Sequence, residues 1–309
     1  MQMLTLIILL IGFVALIKGA DIFVDGSSEL AKIFKVPTLI IGLTIVAFGT
    51  SAPELAVSTS AALMGSNEIA LSNVLGSNIF NMLIVLGVCA IIRPIPLDQD
   101  FLARDYPVST FSTLGLLLLC LPIACINRAI STLLLLTFGI YLYYLIKKAK
   151  ASSSEEPATP RYPLWKSILF IIIGLALVIG GGQAVVYGAK EIARALGMTE
   201  TLIGLTVVAV GTSLPELVTS IVAAKKGDAG LAIGNVLGSN IFNLLFILGV
   251  SGLLHPITVD VMSIYDLVVL TGISCIAYAF SKTSKLITRV EGFIMVCIYV
   301  GYMIFAVVR

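Results

Sequence analysis

Two glutamates, Glu54 and Glu216, stand inside long apolar runs in the same frame. Gly49 to Leu55 reads GTSAPEL, and Gly211 to Leu217 reads GTSLPEL, 162 residues later. A carboxylate in an apolar run is costly and marks function by default. The proline before it, Pro53 or Pro215, lacks an N–H and collides with the carbonyl four residues back. Gly49 and Gly211 are therefore expected to lose a helical partner, with the carbonyls of Ala47, Thr50, Ala209 and Thr212 freed or tilted nearby. In lipid such carbonyls persist only where they line a cavity or bind something. Ser51 and Ser213 precede each acid on the same helical face.

A second duplicated piece reads SNVLGSNIFN at 72–81 and GNVLGSNIFN at 234–243. Ser77 and Asn81 are four apart and share a helical face, as do Ser239 and Asn243. Gly76 and Gly238 permit a neighbouring helix to approach closely. The four segments together offer two carboxylates, several hydroxyls, two amide oxygens and backbone carbonyls. Hard cations such as Ca²⁺ take about six to eight oxygen ligands, and the lack of soft ligands argues against zinc, copper or haem iron. A formal charge of −2 balances one Ca²⁺ or about two Na⁺. Ions that share carboxylates compete, which is a physical basis for exchange, and no cofactor is called for. Helix packing alone would explain one such motif but not two copies with matching second pieces.

These residues need a scaffold, and composition says which kind. Hydrophobic residues make up 59% of 309 and charged residues 12%, with a mean hydropathy of +1.09. Soluble domains are nearer about 45–50% and about 25%, so the chain is an all-α integral membrane protein surrounded by a lipid bilayer. No basic run with interleaved aromatics suggests nucleic acid. The five cysteines lie in apolar segments without metal-ligand spacing, and His255, the one histidine, falls in a loop. Ten segments are long and apolar enough to span: 3–24, 37–64, 69–92, 107–126, 129–146, 164–190, 199–223, 230–254, 264–281 and 287–308. The first is expected to stay in the mature protein, since no small-residue cleavage pattern follows it.

The 162-residue offset extends beyond the motifs. Residues 42–98 align without a gap on 204–260, with 32 of 57 positions identical, and Gly12, Gly26, Glu29 and Gly139 match Gly174, Gly188, Glu191 and Gly301. Residues 1–147 thus form a first repeat (helices 1–5) and 163–309 a second (helices 6–10). The polar, Ser- and Pro-rich stretch 148–162 joins them as a linker. With the linker in the cytoplasm, fifteen Lys and Arg lie inside and four (Arg128, Lys190, Arg194 and Arg309) outside. Both termini are then external, in a plasma (inner) membrane. Five spans per half is an odd number, so the second half enters the membrane inverted, an arrangement of secondary transporters with the site at the midplane. Helices 2, 3, 7 and 8 would form the core, and a monomer would suffice.

GTSAPEL with GSNIFN, repeated as GTSLPEL with GSNIFN, resembles the alpha-repeats of sodium/calcium exchangers in the calcium/cation antiporter superfamily, and more narrowly the compact prokaryotic antiporters. The resemblance implies ten helices, alternating access, and Ca²⁺ moving against several Na⁺. It implies that Glu54 and Glu216 bind both ions. Ser51, Ser77, Ser213 and Ser239 would contribute hydroxyls, and Ala47, Thr50, Ala209 and Thr212 backbone carbonyls. Helices 1 and 6 would form a sliding pair, which Gly12, Gly174 and the run Gly180–Gly181–Gly182 would suit. Some relatives, including potassium-dependent ones, carry aspartate where Asn243 stands, so no K⁺ requirement is expected. Three rivals have a discriminating test. Ca²⁺/H⁺ antiport on the same fold is separated by Na⁺-driven flux at fixed pH. A serine hydrolase at Ser51 or Ser213 lacks an intramembrane base beside the serine. A passive channel would show no saturable counterflow.

Overall fold

The computed structural model describes residues 2–97, 99, 101–151, 159–198, 203, 207 and 209–308. The linker residues 152–158, most of 199–208, and Arg309 lie outside the described residues, so the expected start of the seventh segment is not among them.

The described chain is helical apart from short connections. Helix α1 covers Gln2–Phe34, α2 Thr38–Thr50 and α3 Ala52–Leu63. Next come α4 at Ile69–Ile92, α5 at Phe101–Ile123 and α6 at Arg128–Ala151. The second half has α7 at Leu164–Ala195, α8 at Ala209–Thr212 and α9 at Leu214–Lys226. It ends with α10 at Ala229–Leu254, α11 at Val261–Ser284 and α12 at Arg289–Val308. Eight helices are long and apolar enough to cross a membrane, and α2 with α3 adds a ninth as one span bent by 49°. The chain is thus a multi-pass membrane protein. Some lengths differ from expectation: α1 runs ten residues past 24 and α7 five past 190. Hydropathy underestimates them because Asp25, Glu29 and Lys32, or Glu191 and Arg194, sit at ends that leave the apolar layer.

Many large apolar side chains face outward, while the polar residues of the duplicated motifs are enclosed. Ile140, Phe111 and Phe293 are exposed, whereas Glu54, Asn81, Glu216 and Asn243 are fully buried. That is inside-out relative to a water-soluble domain and suits a hydrocarbon surrounding. The most enclosed spans are α4 and α10, 72% and 83% buried over their apolar windows against 11–44% for the other six. They form the centre. Helix α10 crosses α2 through bare backbone: a Cβ on Gly42 would lie 3.0 Å from Gly234 Cα, and one on Gly238 2.7 Å from Leu43 Cα. Gly76 differs from its counterpart Gly238, because no described atom lies within 4 Å of where its Cβ would be.

Helices α1 and α7 pack antiparallel along almost their whole length. Gly12 faces Gly181, Gly19 faces Gly174 and Gly26 faces Ser167, with backbone approaches of 2.5–3.0 Å to the missing Cβ atoms. The contact glycines recur every seventh residue, at 12, 19 and 26 and at 174, 181 and 188, which keeps a smooth groove on one face of each helix. Of the run Gly180–Gly181–Gly182, only Gly181 touches α1; Gly182 faces Pro215.

Two short antiparallel pairs tie the outer connections. Strand β1 (Ile95–Pro96) pairs with β4 (Leu286–Ile287), and β2 (Cys125–Ile126) with β3 (Ile257–Thr258). The counterpart of β1 is β3 at an offset of 162, but that of β2 is β4 at 161. Tyr141 donates to Asp105 at 3.2 Å and Tyr302 to Asp266 at 3.1 Å, again 161 apart. The register therefore slips by one residue beyond Asp98, and the expected match of Gly139 with Gly301 is replaced by one with Val300. Lipid-facing helices accept any apolar side chain, so their sequence does not fix an alignment.

Gly174→Ala would bring a Cβ to 2.5 Å from Phe23 N and 2.7 Å from Phe23 Cα. We expect it to cost roughly 1–3 kcal/mol, read as a lower thermal unfolding midpoint in detergent. Gly139→Ala, with nothing described within 4 Å, should leave the midpoint unchanged.

Candidate cation site

The helix breaks fall at Ser51 and Ser213, directly before each Pro-Glu pair. Their backbone angles agree closely, φ −83°, ψ 9° and φ −91°, ψ 7°. Each serine precedes a new helix with proline in its first turn and the glutamate third, where N–H groups unpaired within the helix favour a carboxylate. An N-cap serine ordinarily accepts a hydrogen bond from its own helix. Neither does so here.

Both hydroxyls cross to the other half instead. Ser51 Oγ donates to Glu216 Oε1 at 2.8 Å, and Ser213 Oγ donates to Glu54 Oε1 at 3.2 Å. Ser77 Oγ adds a second donor to Glu54 Oε1 at 3.3 Å and lies 2.8 Å from Ser213 Oγ. Ser239, the counterpart of Ser77, lies beside Glu216 with its Oγ short of hydrogen-bond geometry. Each glutamate keeps one oxygen, Oε2, buried and without a partner.

Amides frame this pair. Asn78 and Asn240 exchange side-chain-to-backbone hydrogen bonds at 3.2 and 3.4 Å. Asn81 Nδ2 donates to Asn240 Oδ1 at 3.2 Å, and Asn243 Nδ2 donates to Asn78 Oδ1 at 3.0 Å. With their amino groups so engaged, Asn81 and Asn243 each leave Oδ1 buried and unpaired. Four orphaned oxygens in the core, two of them carboxylate, make an unusual concentration in a folded interior. Among the described residues no group of three or more His, Cys, Asp or Glu could hold a metal. A cation here would therefore lean on neutral oxygens beside the two acids.

The carbonyls are less free than expected. Ala47 O accepts from Ser51 N at 3.0 Å and from Thr50 Oγ1 at 3.3 Å, and Gly49 O is taken by an N–H at the end of α2. The tight turn at Ser51 rebuilds the bonds that Pro53 removes. Thr50 Oγ1 also donates to Asn235 Oδ1 at 3.0 Å. Thr212 lines a cavity, and Ala209 opens α8.

Six further polar residues brace the site. Asn73 Nδ2 donates to Glu54 O at 3.3 Å and Ser58 Oγ at 2.9 Å. Asn235 Nδ2 repeats this on Glu216 O and Ser220 Oγ at the same two distances. These four residues, with Asn78 and Asn240, are also identical across the 162-residue offset. Duplication of buried polar positions was the signal that would have found them.

Beside the site, a cavity of ≈ 510 Å³ opens between α7 and the two proline breaks. Pro53, Gly211, Thr212 and Pro215 form its floor, and Gln183, Tyr187, Lys190, Glu191 and Arg194 its α7 wall.

Comparison with known proteins agrees with this geometry. The family described as sodium/calcium exchanger protein matches residues 4–147 and 166–308. A protein of Alkalimonas amylolytica bearing the name antiporter CaxA is 38% identical over 308 residues, covering 96% of both chains. The sodium/calcium exchanger MaX1 of Methanosarcina acetivorans is 33% identical over 344 residues, covering 96% of this chain and 97% of its own. A solved structure of the sodium-calcium exchanger NCX_Mj, soaked with zero Na⁺ and Ca²⁺, matches with a TM-score of 0.88 at 34% identity, covering 100% of both chains. With the motif duplicated, the carboxylates buried together and both halves matched, the chain belongs to the sodium/calcium exchanger family.

Proposed function

We propose that this protein is a secondary active antiporter, not an enzyme, that exchanges Ca²⁺ for several Na⁺ by alternating access at one midplane site. One observation carries the reading. Two fully buried carboxylates from different halves of the chain each hold one oxygen by a serine of the opposite half and leave the other unpaired. Both ionised, they would carry −2 with no cationic side chain beside them among the described residues, a charge that calls for a cation. Ligands would be Glu54, Glu216, Ser51, Ser213, Ser77 and Ser239, the amide oxygens of Asn81 and Asn243, and the carbonyls of Ala47, Thr50, Ala209 and Thr212.

The same proposal includes ten spans in two inverted repeats, 1–147 and 163–309, joined by a cytoplasmic linker at 148–162. Reciprocal contacts support it: Ser51 to Glu216 with Ser213 to Glu54, and Asn78 to Asn240 with Asn240 to Asn78. Such exchange is what a two-fold relation produces. The strand pairs support the assigned sides, since each joins two loops that the distribution of Lys and Arg assigns to the same face. Both termini would be external in a plasma membrane, and one copy of the chain would suffice.

⁴⁵Ca uptake into Na⁺-loaded proteoliposomes tests the reading. Uptake should depend on the outward Na⁺ gradient, collapse when Na⁺ is added outside, and survive a proton ionophore. Uptake that instead follows a pH gradient would establish Ca²⁺/H⁺ antiport, which family membership does not favour. Glu54→Gln and Glu216→Gln should each abolish exchange while the protein still inserts, because one carboxylate cannot balance a divalent ion in a low dielectric. Robust Ca²⁺ transport by either variant would refute the site.

With an amide rather than a carboxylate at Asn243, exchange should run at the same rate with K⁺ replaced by choline. An absolute K⁺ requirement would contradict this. Asn240→Ala removes the acceptor that orients the Asn81 amide and should raise the Ca²⁺ concentration for half-maximal uptake by roughly tenfold, about the loss of one net hydrogen bond. An unchanged half-maximal concentration would remove Asn81 Oδ1 from the ligand set.

A further inference from the structure

The two ends of the α1–α7 pair differ, although the 162-residue offset makes their residues counterparts. On α7, Gln183, Val186 and Tyr187 line the open cavity. Their counterparts on α1 are Asp21, Val24 and Asp25, where the structure is shut. Leu16, Ala20 and Val24 are buried, the first two in a cluster packed against Leu214, Val218 and Val222 of α9.

A charged clamp closes this end. Lys226, the last residue of α9, places Nζ 2.6 Å from Asp21 Oδ1 and 2.6 Å from Asp25 Oδ1, and donates to Asp21 O at 2.9 Å. Two residues on, Asp228 accepts from Ser28 of α1 at 2.8 Å and from Thr38 of α2 at 2.7 Å, while capping α10 through Leu231 N. Ion pair and cap together fasten α1 to the turn between α9 and α10. The same clamp is not encoded at the cavity end, where the counterparts of Lys226 and Asp228 are Met64 and Ser66 and those of the two aspartates are Gln183 and Tyr187.

We propose that Lys226, bridging Asp21 and Asp25, is a one-sided latch that holds the exchange path shut at this end, so that the ion-free protein rests open toward the Lys190–Arg194 end. This rests on the alternating-access reading above. On the proposed topology the latch is cytoplasmic and the open cavity external.

The strength of the clamp suits the role. Asp21 and Asp25 are about half exposed, at 49% and 47%, and exposed ion pairs are weak. Such a clamp shifts a balance between two states without trapping either. Removing the lysine also leaves two carboxylates one turn apart on the same face, whose repulsion favours separation of α1 from α9.

Matched cysteine reporters test the latch. Val24→Cys and Val186→Cys occupy counterpart positions, one shut in and one lining the cavity. Their modification by a charged thiol reagent, applied to either side of proteoliposomes without Na⁺ or Ca²⁺, is measured against the parent chain. Val186→Cys should react fast and Val24→Cys slowly. Adding Lys226→Met should speed Val24→Cys and slow Val186→Cys, changing the ratio of the two rates by roughly three- to thirtyfold, the range expected from losing two exposed ion pairs. The charge swap Lys226→Asp with Asp25→Lys should restore the original ratio, and Lys225→Met, the same charge loss one residue away, should leave it alone. Unchanged reporter rates in Lys226→Met, or both reporters faster, would overturn the latch while Na⁺-driven Ca²⁺ exchange persists. A parent chain that does not exchange Ca²⁺ for Na⁺ would overturn the functional reading instead, and the two failures are read separately.

Discussion

A carboxylate held by a hydroxyl from the opposite half of the chain, with no cationic side chain beside it among the described residues, is the constraint on which the other features depend. Each acid takes a hydroxyl from the other half, and Glu54 takes a second from Ser77 of its own. Ser51 stands where it would cap the helix that carries Glu54, yet it donates to Glu216, and Ser213 does the reverse. That exchange requires the helix to break at the serine, which the following proline ensures. It requires α2 and α10 to cross with little between them, which Gly42, Gly234 and Gly238 allow. It also requires the breaks to be held rigidly, and Asn73 and Asn235 do this by tying the glutamate carbonyls to a serine on the following turn. A change at any of these positions leaves a buried polar group without a partner.

The arrangement is complete in its donors and incomplete in its acceptors. Most nearby donors that could quench the four orphaned oxygens are committed elsewhere, Asn81 Nδ2 to Asn240, Asn243 Nδ2 to Asn78 and Ser51 Oγ to Glu216, while Ser239 Oγ is left without a partner. A core that merely packed would pair these groups internally, since an apolar replacement is often no less stable. Paired donors beside unpaired anionic oxygens form an interior that is finished by a positive charge from outside.

How much of this was legible in the sequence follows the same physics. The two acids, the two prolines and the serines could be named because a polar residue in an apolar run is conspicuous, and a second copy 162 residues away removes coincidence. Asn73, Asn78, Asn235 and Asn240 carry the same mark and were passed over because helical spacing from Ser77 picked out Asn81 alone. The carbonyl of Ala47 was expected to be free, but local chain geometry at Ser51 restored its partner, and proline rules do not contain that geometry. Helix ends were misjudged where charged residues continue a helix out of the apolar layer. The one-residue slip between Asp98 and Asp105 was invisible because the helices beyond it face lipid, where Leu, Ile and Phe are interchangeable. Sequence constrains positions that must meet a specific partner, and it records little about the rest.

Duplication also explains why the two ends of the molecule can differ without harm to the site. Counterpart residues around the two glutamates agree almost without exception, from Gly49 to Glu54 with one change and from Asn73 to Asn81 with none. In the proposed alternating-access cycle, a site assembled from two equal contributions looks the same whichever half has moved, so ion affinity need not change between access states. An exchanger needs those states close in energy, because a gap of a few kcal/mol leaves one of them nearly empty. In the proposed cycle, equality at the centre would supply that near-degeneracy. The difference must then come from residues that touch only one state, and these are the ones that diverged: Asp21 against Gln183, Asp25 against Tyr187, Lys226 against Met64. Selection on the centre is selection for sameness, whereas at the rims each half is free to acquire contacts its counterpart lacks. A weak, water-exposed ion pair is the kind of contact that can tilt such a balance and still be broken in every cycle.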